Sequence, residues 1–310
     1  MKSPILGSSY VARSVNAADN RMVNLFPETI PEGGKEAGFL NRVPGLRRLT
    51  TIGKGPIRGM RVVKDILYVV SGSEFYSVTA AWKTTLLGTV IGDSPASMSD
   101  NGTQIFIATN PTSYTYNVAT STFSIITDSD FPGAVTVGFI DGYFVFNEPN
   151  TQKLWITGLY DGTTLDALDF ASAEGTPDNL LAVAVDHREV WTFGANSIEV
   201  WQNTGNTDFP LELISGAIND IGCAAAYSVA KLDNGLFWLG SDDRGRGIVY
   251  RSAGYRGVRI STHAVEWQIQ QYETIADAVA YSYQQDGHSF YVLNFPTANK
   301  TWVYDVATGA

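Results

Sequence analysis

The chain has 310 residues, 44% of them hydrophobic, and 31 Asp and Glu against 21 Lys and Arg give a net charge of −10. That is enough apolar material for a sizeable core in one large domain or two ordinary ones, and the negative balance argues against general nucleic-acid binding. No apolar run is long enough for a membrane span, no apolar leader follows Met1-Lys2-Ser3-Pro4, and the single Cys223 excludes an internal disulfide or a cysteine-based zinc site; synthesis and folding in the cytosol are the expectation.

Residues 1–42 are rich in Asn, Ser, Glu and Gly, with Pro27, Pro31 and Gly33-Gly34, and keep neither a helical nor an alternating period. They read as an extended N-terminal arm. From residue 43 onward one pattern recurs six times. A strand of mostly small or β-branched residues is expected at 59–63, 94–99, 134–140, 180–185, 224–232 and 277–283. An Asp-led turn follows, at Asp65, Asp100, Asp141, Asp186, Asp233 and Asp286, and each turn feeds an apolar strand with a central aromatic, as in Tyr143-Phe144-Val145-Phe146. Third strands are expected at 75–78, 114–117, 154–157, 198–201, 248–251 and 301–304. Fourth strands are expected at 84–88, 122–126, 165–171, 211–215 and 257–262. A period of 35 to 53 residues suits a small four-stranded sheet, so the expected fold is all-β, a six-bladed β-propeller over 43–310.

The sixth repeat has no fourth strand before Thr308-Gly309-Ala310. Residues 46–51 resemble the fourth-strand stretch that begins at Thr84, with a glycine turn and a proline after the strand in both cases. They are therefore expected to close blade six, leaving no long unpaired edge. The best helical candidate lies at 219–226, where a local turn is an equal reading.

The six aspartates read as turn residues, because Asp and Asn tolerate left-handed backbone and bond their own chain. The Asp-box of carbohydrate-active propellers needs a hydroxyl two residues before the Asp, and Lys231 and Met98 stand there instead. No carboxylate pair, nucleophile elbow, phosphate loop or histidine cluster emerges, and Phe131-Pro132-Gly133 breaks a calcium pattern at Asp128-Ser129-Asp130. No catalytic, cofactor or metal residues are expected, and Cys223 reads as a small core residue. The loop acids Asp161, Asp166, Asp169, Glu174, Asp178, Asp242 and Asp243 read as a solvated rim.

Charge is unevenly spread. Residues 37–64 hold seven basic side chains and no acid, and 244–265 hold five and no acid, which leaves nine basic residues against all 31 acids elsewhere. With ring closure as expected, Arg47 and Arg48 lie on the outer strand of blade six, and Arg256 and Arg259 on that of blade five. This basic face is a candidate for contact with an acidic face of another subunit.

The words Arg21-Met22-Val23-Asn24-Leu25-Phe26-Pro27-Glu28, then Val43-Pro44-Gly45-Leu46, resemble the packaged-DNA stabilisation proteins of short-tailed phages, also called tail hub or head-completion proteins. Similar words recur from Phe193 to Gly205. The resemblance implies a structural, non-enzymatic virion protein of the tail, assembled in the host cytoplasm. It implies a ring, expected to hold six copies, below the portal and its adaptor ring. Such a ring helps retain packaged DNA without sequence-specific binding and offers attachment for the tail needle and tail fibres or spikes. No membrane partner is implied. In such a ring the arm, with Phe26 and Pro27, is a candidate interface that orders when it wraps a neighbour; the other reading is a strap packed on its own propeller. The alternative is a carbohydrate-active or glycan-binding propeller.

Overall fold

The computed structural model describes residues 10–11, 19–20, 22–30, 38–110, 112–173, 175, 178–242 and 245–310. Most of the expected arm, with Arg21 and also Glu174, Asp243 and Arg244, lies outside these residues. The chain divides into two compact units, one of residues 48–227 and one that joins residues 1–47 to 228–310.

The first unit holds four four-stranded antiparallel sheets, each with its strands in chain order. Their strands are Ile57–Val63, Ile66–Ser71, Glu74–Val78 and Thr84–Thr89 in blade one, and Ser97–Asp100, Gln104–Thr109, Thr112–Asn117 and Thr122–Ile125 in blade two. Blade three is Val137–Ile140, Tyr143–Asn147, Lys153–Ile156 and Phe170–Ser172, and blade four is Leu180–Asp186, Glu189–Gly194, Ile198–Asn203 and Leu211–Asn219. The second unit holds blade five (Ala230–Leu232, Gly235–Asp242, Gly245–Ala253, Arg256–Arg259) and the three-stranded blade six (Val279–Gln285, His288–Phe295, Lys300–Asp305). It also contains a hairpin of the arm, Leu25–Thr29 with Gly38–Arg42, and a short helix, His263–Ile269. The six sheets are the blades of a β-propeller.

Five of the six Asp-led turns are two-residue hairpins with both central residues left-handed: Lys64-Asp65, Asp141-Gly142, His187-Arg188, Asp233-Asn234 and Asp286-Gly287. This geometry matches the twist of the flanking strands and selects Asp, Asn and Gly. The aspartate's place varies, second in the first turn and just ahead of the turn at Asp186. In the remaining turn Asp100 accepts a bond from Gly102 N at 3.0 Å and Asn101 accepts from Gln104 N at 2.7 Å.

Successive strand residues face opposite ways, so a strand covered on both faces must be apolar throughout. In Gln104–Thr109, Ile105 and Ile107 join a core shared with blade one, while Phe106 and Ala108 join one shared with blade three. Tyr143 and Val145 face a core shared with blade four, while Phe144 and Phe146 face blade two. Each such aromatic contributes roughly 1.5 to 3 kcal/mol by burial. Gly88 makes room for this packing: a Cβ there would lie 2.1 Å from Phe123 Cδ1, and that ring stacks on Phe75 and Tyr114 with centroids at 5.5 and 5.1 Å.

The structure differs from expectation in four places. Residues 46–51 form no strand; Leu46 and Leu49 are exposed, and the following turn is tied to blade one. There Ser71 Oγ donates to Ile52 O at 2.6 Å, and Gly72 N donates to Pro56 O at 2.9 Å. Blade three's outer strand is confined to Phe170–Ser172, since aspartate-capped turns occupy the residues before it. Blade five's first strand is Ala230–Leu232, after a 3-10 turn at Ala226–Ser228. No α-helix forms at 219–226; strand runs to Asn219 and recurs at Gly222–Cys223, with bends between and after and the 3-10 turn from Ala226, which is the local-turn reading. Cys223 is buried, as expected of a core residue.

Candidate interface

The helix His263–Ile269 explains what becomes of Arg259. Thr262 caps the helix by accepting from Val265 N, and Glu266 in the first turn is buried. Arg259 Nε donates to Glu266 Oε1 at 2.6 Å, its Nη2 donates to the other carboxylate oxygen, and Nη2 also meets His263 Nδ1 at 2.7 Å. Ser261 Oγ donates to Glu266 Oε1 at 2.6 Å and accepts from Val249 N at 2.9 Å. A carboxylate out of water needs such a charged, hydrogen-bonded partner, so Arg259 spends its charge inside blade five. Arg256, three residues earlier on the same outer strand, is exposed.

Phe26 and Pro27 are buried on the arm hairpin. The Phe26 ring meets His288 edge-on at 4.8 Å and Phe290 at 5.5 Å, both on blade six of its own chain. Beneath it, His288 Nδ1 donates to Asp305 Oδ2 at 2.7 Å, and Asp305 also accepts from Thr308 Oγ1 at 2.7 Å and Ala307 N at 3.0 Å. These residues strap the arm to blade six. Arg47 and Arg48 lie in the exposed, non-strand stretch after the hairpin.

Three other basic side chains of the two segments are occupied. Arg58 is buried, with Nε donating to Ser94 O at 2.6 Å and Nη1 to Gly72 O at 2.9 Å; burial lowers its pKa from the ordinary arginine value. Arg61 pairs with Asp100 at 2.7 Å, and Arg251 lies over the Phe237 ring and 3.9 Å from Asp233. Among the described residues no group of three or more His, Cys, Asp and Glu is placed to hold a metal. No helix there is long and apolar enough to cross a membrane.

The sequence reading missed a feature of blade three. The loop between Ile156 and Phe170 exposes Leu159, Tyr160 and Leu168. Asp161 anchors it, accepting from Thr163 N at 2.9 Å and Thr163 Oγ1 at 2.6 Å. Although burial opposes its charge, hydrogen bonds from Thr163, Gln104 and Thr164 hold its pKa below the usual carboxylate value. Asp169 shifts upward, through burial and the charge of Asp166. The only signal in the sequence is the run Gly158-Leu159-Tyr160-Asp161-Gly162, where apolar residues sit inside turn chemistry.

Comparison with known proteins agrees with the fold. The chain is 23% identical over 288 residues to tail hub protein gp10 of Salmonella phage P22, a match that spans 88% of this chain and 59% of that protein's length. Among solved structures, the extracellular domain of the one component system BT4673 from B. thetaiotaomicron superposes with a TM-score of 0.52 at 10% identity, over 83% of this chain and 34% of that one. A chain of the mitotic checkpoint complex gives 0.50 at 9% identity, over 86% of both chains. These distant structural likenesses bear on the fold alone. A family model described as bacteriophage P22 Gp10, β-propeller, matches residues 1–310, and the chain belongs to that family.

Proposed function

We propose that the chain is a structural subunit of a short-tailed phage tail hub. Copies, six in this reading, form a ring below the portal and its adaptor ring, help retain packaged DNA without reading its sequence, and offer attachment for the tail needle and tail fibres or spikes. The observation that carries the reading is the family match over the whole chain, together with the relative named as a tail hub protein. The architecture supports it: blades cored on both faces make a stiff scaffold whose loops are free to carry contacts. Its role is non-enzymatic and its place is the virion tail. The test is light scattering of the purified chain together with cryo-EM of particles. A ring with these copies at the tail vertex is expected; particles whose tail lacks the chain would overturn the proposal.

A further inference from the structure

Three large apolar side chains lie exposed on one loop: Leu159 is 58% exposed, Tyr160 63% and Leu168 79%. The loop is stiff. Tyr160 has φ 56°, a costly conformation for an aromatic residue, held by its own N–H to Gly142 O at 2.7 Å and by Asn101 Nδ2 to its carbonyl at 3.3 Å. Rigid exposed aromatic and aliphatic anchors are what protein contacts are built on. The rim is acidic, with Asp166 near enough to raise the pKa of Asp169, and residues 157–169 contain no basic side chain.

The stretch Leu46-Arg47-Arg48-Leu49 has the complementary chemistry. It is exposed throughout, Leu46 at 104% and Leu49 at 50%, and neither guanidinium has a partner among the described residues. We propose that residues 46–49 of one copy dock on the blade-three loop of a second copy. Leu46 and Leu49 then cover Leu159, Tyr160 and Leu168, while Arg47 and Arg48 meet Asp166 and Asp169. The two patches differ, so the contact is head to tail and builds a ring or a filament, never a two-fold dimer. The inference rests on the hub reading above and supplies its subunit contact.

The experiment measures self-association by light scattering across protein concentration for the wild type, Asp166→Lys/Asp169→Lys, Arg47→Glu/Arg48→Glu, an equimolar mixture of the two variants, and the quadruple variant. Each reversal alone weakens association on the order of tenfold or more, and the quadruple variant recovers it because opposite charges again face each other. The equimolar mixture also recovers association, in alternating order, because both patches of each variant are complementary to those of the other and repel only those of their own kind. Leu168→Gln, at a site already open to solvent, weakens association without altering the fold measured by circular dichroism. A wild type that assembles while the single reversals assemble equally well overturns the inference and leaves the hub reading standing. Loss in both reversals without recovery in the quadruple variant overturns the pairing. A wild type that stays monomeric on its own and is absent from particle tails overturns the hub reading itself.

Discussion

Phe26 supplies the sharpest test of how the arm is held. Replacing it with Ala removes a ring that is 8% exposed and makes edge-on contacts with His288 at 4.8 Å and Phe290 at 5.5 Å. Core Phe→Ala changes cost about 3 to 5 kcal/mol, and each aromatic pair adds roughly 0.5 to 1.5 beyond its area. The contact is one-sided, two rings on one strand, so the lower end applies, about 3 kcal/mol. That cost falls on the arm and its seat on blade six, not on blades one to four, whose cores do not include Phe26. Local opening of the hairpin should then rise on the order of 100-fold, read as faster amide exchange at residues 25–29 and 38–42, with the thermal midpoint nearly unchanged. Unchanged exchange in the hairpin would refute the strap. A large fall in the midpoint would show that arm and propeller unfold as one.

Three other expectations follow from the geometry. Gly88→Ala forces a Cβ to 2.1 Å from Phe123, which should cost roughly 1 to 3 kcal/mol in urea unfolding, and Phe123→Leu should recover part of that loss. Glu266→Gln leaves the Arg259 guanidinium without its anion; since that side chain is 28% exposed, water screens part of the loss, and a fall of about 1 to 3 kcal/mol is expected by calorimetry. Asp169 has a raised folded pKa, from burial and then Asp166, so its contribution favours the fold below the ordinary carboxylate value and is lost as pH rises through the raised one. Asp166→Asn should move the Asp169 carboxyl back toward its ordinary value, as read by NMR titration; an unmoved value would show that burial alone sets it.

The blades were legible because two short-range rules act together. Alternating burial writes runs such as Ile105-Phe106-Ile107-Ala108, and two-residue hairpins select Asp, Asn and Gly at fixed distances from them. What escaped depends on partners chosen across the fold. Ser261-Thr262 followed by Glu266 is a helix start that could have been read, yet its neighbours Arg256 and Arg259 drew notice as a basic strand. The stretch 46–51 has the composition of a fourth strand but lies outside any ladder, and composition cannot say where a ladder forms. Leu159 and Tyr160 look like core residues by type; only the turns around Asp161 and Asp166 show why they face water.

The uneven charge changes meaning in the same way. The acid-free segment 244–265 ends one residue before Glu266, so the boundary that made Arg259 look unopposed is an artefact of counting along the chain. Arg61 and Arg251 likewise find their acids away in sequence, at Asp100 on a neighbouring strand and Asp233 in a hairpin turn, and Arg58 is buried against carbonyls. A positive charge bonded to its own fold is a poor partner for another subunit, since a new contact must first undo the old one. Arg47, Arg48 and Arg256 carry no such debt. Of the four arginines first placed on the outer strands, those three are therefore the ones open to a basic interface, and charge reversal at Arg259 would report on the stability of blade five, not on assembly.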